Sequence, residues 1–431
     1  MVITMKLLLK NVNIIGYFKE PGISDILCED GLIAGISRGI SADGCAVIDC
    51  GGLSCCAGLV DMHTHLRDPG FLHKEDIRSG GSAAAAGGVC HIACMPNTSP
   101  VCDNAETVRY IVEKSRREAP VRVYPIAAVT VREKGERLTD FNVLKSAGAV
   151  AFSDDGMPVM NDRLMEEAMV LADRLGVKVI SHCEDFNFVP GRTAADYGLE
   201  GCEVPVQSDE EGMAARDAAL AKRSGAAVHI AHVSTENTVA IIRWAKSRGV
   251  RVTCETAPHY MLFTKDTAAE KGTNAKMNPP LREEKDRLAV IEGVKDGTID
   301  AIITDHAPHS AGEKSVGYGK APNGIIGLET LFAASVKALR NEMGMEEIIY
   351  KLTAAPAGIL GIDAGALKVG GAADITVFDP AEKWVYEAEK SFSKSRNTPF
   401  DGYEFDCRVK YTVLGGKVVY SRSDGVILPN Q

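Results

Sequence analysis

The chain has 431 residues, 45% of them hydrophobic and 25% charged, and a formal charge of −10. That length lets a globular fold bury about three quarters of its unfolded surface, so core size is not limiting. An acidic balance without a basic stripe excludes general nucleic-acid binding, and no apolar stretch is long enough to span a bilayer, so neither nucleic acid nor membrane is an expected partner.

Residues 1–16 hold only a short Leu7-Leu8-Leu9 run, broken by Lys10 and Asn11. They lack the longer apolar core and small-residue cleavage pattern of a secretory signal, so a cytoplasmic protein is expected. In that compartment the twelve cysteines read as reduced, small apolar residues. Neither Cys90 with Cys94 nor Cys55 with Cys56 has a zinc-motif partner pair elsewhere. Residues 1–56 alternate short strands and turns, and 366–431 do the same around Ile375-Thr376-Val377-Phe378 and Val409-Lys410-Tyr411-Thr412-Val413. Neither flank alone holds a generous core, so the two are expected to pair into one small β domain, interrupted by the segment 57–365.

Within 57–365, short β-branched runs alternate with helical patterns. The expected strands are 59–65, 89–97, 121–130, 149–155, 177–184, 228–234, 251–259 and 301–309. Helices are expected from Ser79 through the alanine run, and over 105–117, 141–147, 162–175, 209–224, 237–247 and 283–295. This alternation predicts an α/β fold, a (β/α)8 TIM-like barrel, with an open doubly wound sheet as the lesser alternative. Chemistry in such barrels sits at the C-terminal strand ends. Here those ends include His63-Thr64-His65, Met95-Pro96-Asn97, Ser153-Asp154-Asp155, Ser181-His182-Cys183-Glu184, His232-Val233-Ser234 and Asp305-His306-Ala307-Pro308-His309. Buried imidazole and carboxylate groups cost stability unless they are bonded or bind metal.

On a strand His63, His65 and Arg67 share one face, so both imidazoles can reach one ion with a cation just beyond. A lone His-x-His is weak evidence, because two ligands leave zinc short of its usual number. His229 and His232 have opposite parity, so only one is expected to face the barrel interior, and His232 lies nearer the strand end. Adding His182, Asp155 and Asp305 brings four imidazoles and two carboxylates to one mouth, enough for two divalent ions sharing a carboxylate and a hydroxide. A histidine-rich set suits zinc, with manganese or cobalt as substitutes.

The ordered set Asp61-Met62-His63-Thr64-His65-Leu66-Arg67-Asp68-Pro69-Gly70, Met95-Pro96-Asn97-Thr98, Phe152-Ser153-Asp154-Asp155-Gly156, His182-Cys183-Glu184, His232-Val233-Ser234, Asn278-Pro279-Pro280-Leu281-Arg282, Asp305-His306-Ala307-Pro308-His309 and Ser393-Lys394-Ser395-Arg396-Asn397-Thr398-Pro399-Phe400 resembles the dihydroorotases of the amidohydrolase superfamily. The resemblance covers nearly the whole chain. It implies reversible hydrolysis of the cyclic amide of (S)-dihydroorotate to N-carbamoyl-L-aspartate in pyrimidine biosynthesis. Hydantoinases, dihydropyrimidinases and most allantoinases bridge their metals with a carbamylated lysine on the fourth strand. The run Ala149-Val150-Ala151-Phe152-Ser153-Asp154-Asp155 has no lysine, which places the chain with the dihydroorotases that use an aspartate bridge.

By that resemblance His63, His65 and Asp305 hold one ion, His182 and His232 the other, and Asp155 joins them, with one or two zinc ions expected per chain. A metal-activated hydroxide attacks the ring carbonyl, and Asp305 serves as general base and then acid. Arg67, Asn97 and His309 contact the substrate carboxylate, Asn278 the ring, and the backbone at Asn323 and Gly324 the ring edges. The family usually carries an aromatic residue where this chain has Asn323, so no side-chain role is carried over there. A homodimer is implied too.

Asp154 has the wrong parity and is expected to make structural hydrogen bonds. His73, His91, His229 and His306 read as surface, packing or supporting groups, while His259 either touches substrate or supports the metal ligands. The stretch 312–327, with Gly317, Gly319 and Gly324, reads either as a mobile loop over the mouth or as a plain surface loop. Alternatives in function are an allantoinase or other cyclic amidase and a non-catalytic scaffold relative, the latter expected to have lost ligands.

Overall fold

The computed structural model of the chain describes residues 6–16 and 22–429. Residues 1–5 and 17–21 of the expected first flank, and 430–431 of the second, lie outside the described residues.

Eight short strands pair in sequence order as one sheet: β1 (Leu59–Thr64), β2 (Val89–Cys94), β3 (Arg122–Ala127), β4 (Ala151–Phe152), β5 (Lys178–Ser181), β6 (Val228–Ile230), β7 (Val252–Thr256) and β8 (Ala301–Ile302). Every ladder is parallel. β1 and β2 are buried at every residue, which is why they read as near-continuous apolar runs: a parallel strand under a helix layer has no wet face. Closure between β8 and β1 comes from beyond the β8 ladder. Thr64 bridges His306 in parallel, and His65 N donates to the His306 carbonyl at 2.8 Å. The Asp61 carboxylate accepts from Thr304 N at 3.2 Å and Thr304 Oγ1 at 2.5 Å. The result is the expected (β/α)8 barrel.

Helices Ile77–Ala86, Ala105–Glu118, Phe141–Ala147, Asp162–Arg174, Asp209–Ser224, Glu236–Ser247 and Glu284–Lys295 follow the first seven strands in turn. The first is capped by Asp76, whose carboxylate accepts from Ser79 N at 2.7 Å. Its Ala83, Ala84 and Ala85 are buried, and a Cβ at Gly87 would stand 2.0 Å from the Leu328 carbonyl oxygen. The small residues thus let this helix end touch the backbone that follows β8.

The strands stop earlier than their apolar runs suggest, for a physical reason. His232 (φ 34°), Asp305 (φ 47°) and Arg67 (φ 58°) all have left-handed backbone, which interrupts regular β pairing. The regular ladder ends before each of them. His259, expected at a strand end, lies instead in the first turn of the helix Pro258–Leu262, with Pro258 at its N-terminus.

Both flanks enter one mixed sheet of nine strands. Its spine is Ser54–Ala57, which runs parallel to Lys6–Ile14 on one side and antiparallel to Ile375–Asp379 on the other. Leu7, Leu9, Val12, Ile26, Ile33, Cys55, Ile375, Val377 and Val413 form its own core. Phe378, from the same sheet, packs edge-on against Phe332 of the helix Leu331–Leu339 at 4.7 Å, joining this core to the barrel. Every cysteine is unpaired, and all but Cys45 are buried.

β4, like β8, has only two residues in the barrel wall, yet it delivers Asp154 and Asp155. What steadies it is Phe152, fully buried and stacked on Phe141 with ring centroids 3.8 Å apart. Phe152→Ala is expected to cost about 3–5 kcal/mol in urea unfolding, as for other buried aromatics. A loss below about 1 kcal/mol would show that the ring is not what holds this strand.

Candidate metal centre

Two outer hydrogen bonds aim the histidines of β1. His63 Nδ1 meets Glu255 Oε1 at 2.7 Å, and His65 Nδ1 meets Asn97 Oδ1 at 2.9 Å. Each ring is thereby held as the tautomer whose Nε2 lone pair faces inward. The two Nε2 atoms look toward Asp155 and Asp305. His63 Nε2 stands 3.3 Å from Asp155 Oδ1 and 3.6 Å from Asp305 Oδ1. His65 Nε2 stands 3.4 Å from Asp155 Oδ2 and 3.0 Å from Asp305 Oδ1.

Across the mouth, His182 presents its other nitrogen. Its Nδ1 lies 2.9 Å from His232 Nε2 and 3.5 Å from Asp155 Oδ1, while its Nε2 points to Glu184 Oε2 at 3.3 Å. His232 Nε2 is 3.9 Å from Asp155 Oδ1. The donor atoms fall into two triads, His63 with His65 and Asp155, and Asp155 with His182 and His232. Asp155 is common to both.

The donor set fits metal ions on grounds internal to the structure. His63 Nε2 and Asp155 Oδ1 are buried atoms without a hydrogen-bond partner, which is costly unless something else satisfies them. Two ligands about 2.0–2.1 Å from one tetrahedral ion stand roughly 3.3 Å apart, and the His63–Asp155 and His65–Asp155 separations are 3.3 and 3.4 Å.

Electrostatics points the same way. Burial opposes charge on Asp155, but His63 and His182 outweigh it and hold the carboxyl well below its ordinary range. Burial likewise opposes charge on His182, yet Asp155 and Glu184 push it up to about 9. His232 goes the other way, down to about 3, through burial and the neighbouring His182 and His63. Asp305, against its burial, is drawn to about 2 by the bond to His65 and the charge of His63. Ionised carboxylates among imidazoles that otherwise take up protons form a site where divalent cations replace those protons.

Beyond the triads stands a cationic wall. Half-buried Arg67 donates from Nε to the Pro308 carbonyl at 3.3 Å. His309 Nε2 lies 2.8 Å from the Asn323 carbonyl and must donate to it, which leaves Nδ1 to accept from Lys74 Nζ at 3.3 Å. The 3.4 Å approach of Arg67 Nη2 to His309 Nε2 is then a contact between two donors. Burial, Arg67 and Lys74 push His309 down to about 3, so its ring is neutral. Asn97 Nδ2 reaches Asp155 Oδ2 at 3.3 Å, and Asn278 Nδ2 reaches Glu184 Oε2 at 3.1 Å. The Asn323 side chain is exposed, whereas Gly324 is buried with its N–H on the Lys276 carbonyl at 3.0 Å.

The stretch 312–327 is tied down by two ammonium groups. Lys314 Nζ donates to the carbonyls of Lys276 (3.1 Å) and Pro322 (2.9 Å). Lys276 Nζ donates to those of Tyr318 (2.7 Å) and Ala321 (2.6 Å).

Of the histidines given supporting roles, His73 is exposed near Glu313, and His91 meets Asp374 at 3.2 Å and Tyr124 at 3.1 Å. His306 meets the buried Glu75 at 3.2 Å. Asp154 accepts from Thr130 N at 3.0 Å, a structural bond of the kind its parity suggests. His259 is buried with Nε2 unpaired. The parity argument that sent only one of His229 and His232 inward is corrected. His229 Nε2 meets Glu255 Oε2 at 3.2 Å, so it joins the buried network behind His63, and the left-handed turn at His232 brings that residue to the mouth as well. Glu255 and Lys74 are site residues that sequence reasoning passed over, and Glu184 was quoted there without a role. An acidic residue inside the expected β7 run was the available signal for Glu255.

Known proteins resemble this chain in sequence and in fold. A family model described as Dihydro-orotase-like matches residues 53–238. The chain is 49% identical over 406 residues to a dihydroorotase of Geotalea daltonii, covering 92% of this chain and 95% of the relative. It is 44% identical over 424 residues to a dihydroorotase of Aquifex aeolicus, covering 96% and 99%. Among solved structures, L-hydantoinase from Arthrobacter aurescens superposes with a TM-score of 0.86 at 24% identity, covering 98% of this chain and 97% of that one, a likeness of fold.

Glu255→Ala is expected to weaken metal binding about 10–100-fold, since it frees the His63 ring. Competition against a chromogenic chelator, with circular dichroism to confirm folding, checks this, and an unchanged affinity in folded protein would contradict it.

Proposed function

The chain belongs to the dihydroorotase family, and from that premise we infer that it hydrolyses the ring amide of dihydroorotate to N-carbamoyl-L-aspartate and closes it in reverse. The observation that carries this reading is 44–49% identity to dihydroorotases over nearly the full chain. The two triads sharing Asp155 agree with it.

We assign His63, His65 and Asp305 to one ion, His182 and His232 to the other, and Asp155 to both, with zinc the metal a histidine-rich set favours. When bound, such ions supply Lewis acidity, polarising a carbonyl and making a water more acidic.

The chain's own residues do the rest. Arg67 grips the substrate carboxylate with its planar fork, and Asn97 and His309 complete that pocket. Asn278 faces the ring. The carbonyls of Asn323 and Gly324 each already accept one protein hydrogen bond and keep a second lone pair for a ring N–H. Asp305, ionised beside His63 and His65, takes the proton of the attacking water. As the ring C–N bond breaks and the new C–O bond forms, Asp305 returns that proton to the leaving nitrogen.

We place the reaction in pyrimidine biosynthesis and in the cytoplasm, in a homodimer, with a small-molecule substrate and no nucleic-acid partner. Among the described residues no helix is long and apolar enough to cross a membrane. An allantoinase is not favoured, because allantoin has no carboxylate for Arg67. A scaffold is not favoured either, because every ligand position is filled.

Turnover of the zinc-loaded protein on dihydroorotate and N-carbamoyl-L-aspartate, with allantoin and dihydrouracil in parallel and a chelated control, tests the substrate. Chelator-sensitive interconversion of the first pair is expected, and turnover confined to a parallel substrate would move the specificity. Asp305→Asn is expected to lower kcat about 10²–10⁴-fold while some metal stays bound. Near-normal turnover in the metal-loaded variant would remove Asp305 from this role. Arg67→Lys is expected to lower kcat/KM by about tenfold or more, as the loss of one charge-assisted hydrogen bond does. An unchanged value would refute the fork.

A further inference from the structure

One buried side chain outside the metal triads touches both segments of the proposed substrate wall. Asn397 is 3% exposed and belongs to the stretch between the short strands Trp384–Val385 and Glu404–Phe405, remote in sequence from the site. Its Oδ1 accepts from His309 N at 3.1 Å. Its Nδ2 donates to the Ala307 carbonyl at 3.1 Å and the Gly324 carbonyl at 2.9 Å. Its own carbonyl accepts from Ile326 N at 2.8 Å. The partners decide the orientation of the amide: a backbone N–H can meet only the oxygen, and two carbonyls can meet only the two hydrogens of the nitrogen. All three side-chain bonds close at once.

The segment carrying Asn397 is itself anchored. Lys394 N donates to Glu75 Oε1 at 3.1 Å, and Ser395 Oγ donates to the Lys74 carbonyl at 2.7 Å. Lys74 is also the residue whose ammonium bonds His309 Nδ1. His309 is therefore gripped at its backbone by Asn397 and at its ring by Lys74, and both grips depend on this C-terminal strap. Opposite, Gly324 has φ +129°, and a Cβ there would lie 2.6 Å from Ala307 Cβ and 2.7 Å from the Ala307 oxygen. The two segments meet with no room to spare. The Asn397 amide spans their carbonyls.

We propose that Asn397 is a positioning residue that sets substrate specificity: by joining Ala307, His309 and Gly324 it fixes the distance between the carboxylate contact and the ring-edge contact. The proposal rests on the functional reading above. The Asn397 side chain bonds backbone groups of Ala307, His309 and Gly324 and no metal ligand, so its loss should be felt in substrate binding rather than in the chemical step.

The test compares Asn397→Ala and the isosteric Asn397→Asp with the wild type, measuring kcat, KM for dihydroorotate, bound metal and the unfolding midpoint. Both variants are expected to raise KM about tenfold or more, with kcat within about threefold and metal content unchanged. The Asp variant should be no better than the Ala variant, because its second oxygen faces two carbonyls. A role in packing alone predicts the opposite order, since Asp preserves the volume. Unchanged KM in folded, metal-loaded variants would overturn the proposal, as would a fall in kcat alone, a near-normal Asp variant, or failure of both variants to fold, which would make Asn397 a fold determinant. Wild-type protein inert toward dihydroorotate would instead overturn the functional reading, and this inference with it.

Discussion

The Asp155 carboxylate, buried among imidazoles from β1, β5 and β6, is the constraint that the rest of the structure answers to. Its Oδ1 faces His63, His182 and His232, and its Oδ2 faces His65. A carboxylate taken out of water into this environment is tolerable only if positive charge meets it there. Imidazoles converging from opposite sides of a barrel can supply that charge as protons or can yield it to metal ions. The outer bonds to Glu255, Asn97 and Glu184 turn the rings of His63, His65 and His182 so that one nitrogen of each faces Asp155. The buried network is thus built from outside in.

The backbone carries a share of that cost. His232, Asp305 and Arg67 occupy left-handed conformations, worth about 1–3 kcal/mol each for residues other than glycine. Asp61, accepting from Thr304 N and Oγ1 and from His63 N at 3.2 Å, clamps β1 to the segment leading into Asp305. This clamp also completes barrel closure, so the element that closes the fold and the element that aims two ligand-bearing segments are the same.

The barrel is legible in the sequence because strands buried on both faces must be continuously apolar and because crossover helices must separate them. The ligand positions are legible because polar residues at the ends of such strands have few other uses. Exact strand ends are not, since the left-handed turns at His232 and Asp305 depend on contacts made across the barrel. For the same reason strict alternation misjudged His229, whose partner Glu255 lies on the neighbouring strand. The flanking sheet is readable from its alternating runs, whereas the pairing of Ser54–Ala57 with Ile375–Asp379 spans more of the chain than any local pattern reports. Lys74 is hidden still further, because its place beside His309 exists only once residues far apart in sequence meet.

The central claim is that this buried cluster exists to hold cations on either side of Asp155. Anomalous diffraction from zinc-loaded crystals, collected on both sides of the zinc absorption edge, tests it most directly. The account predicts anomalous peaks within bonding distance of His63 and His65, and of His182 and His232, with Asp155 between them. Ordered protein whose anomalous peaks lie elsewhere, or which shows none while these imidazoles bond only to carboxylates, would contradict it.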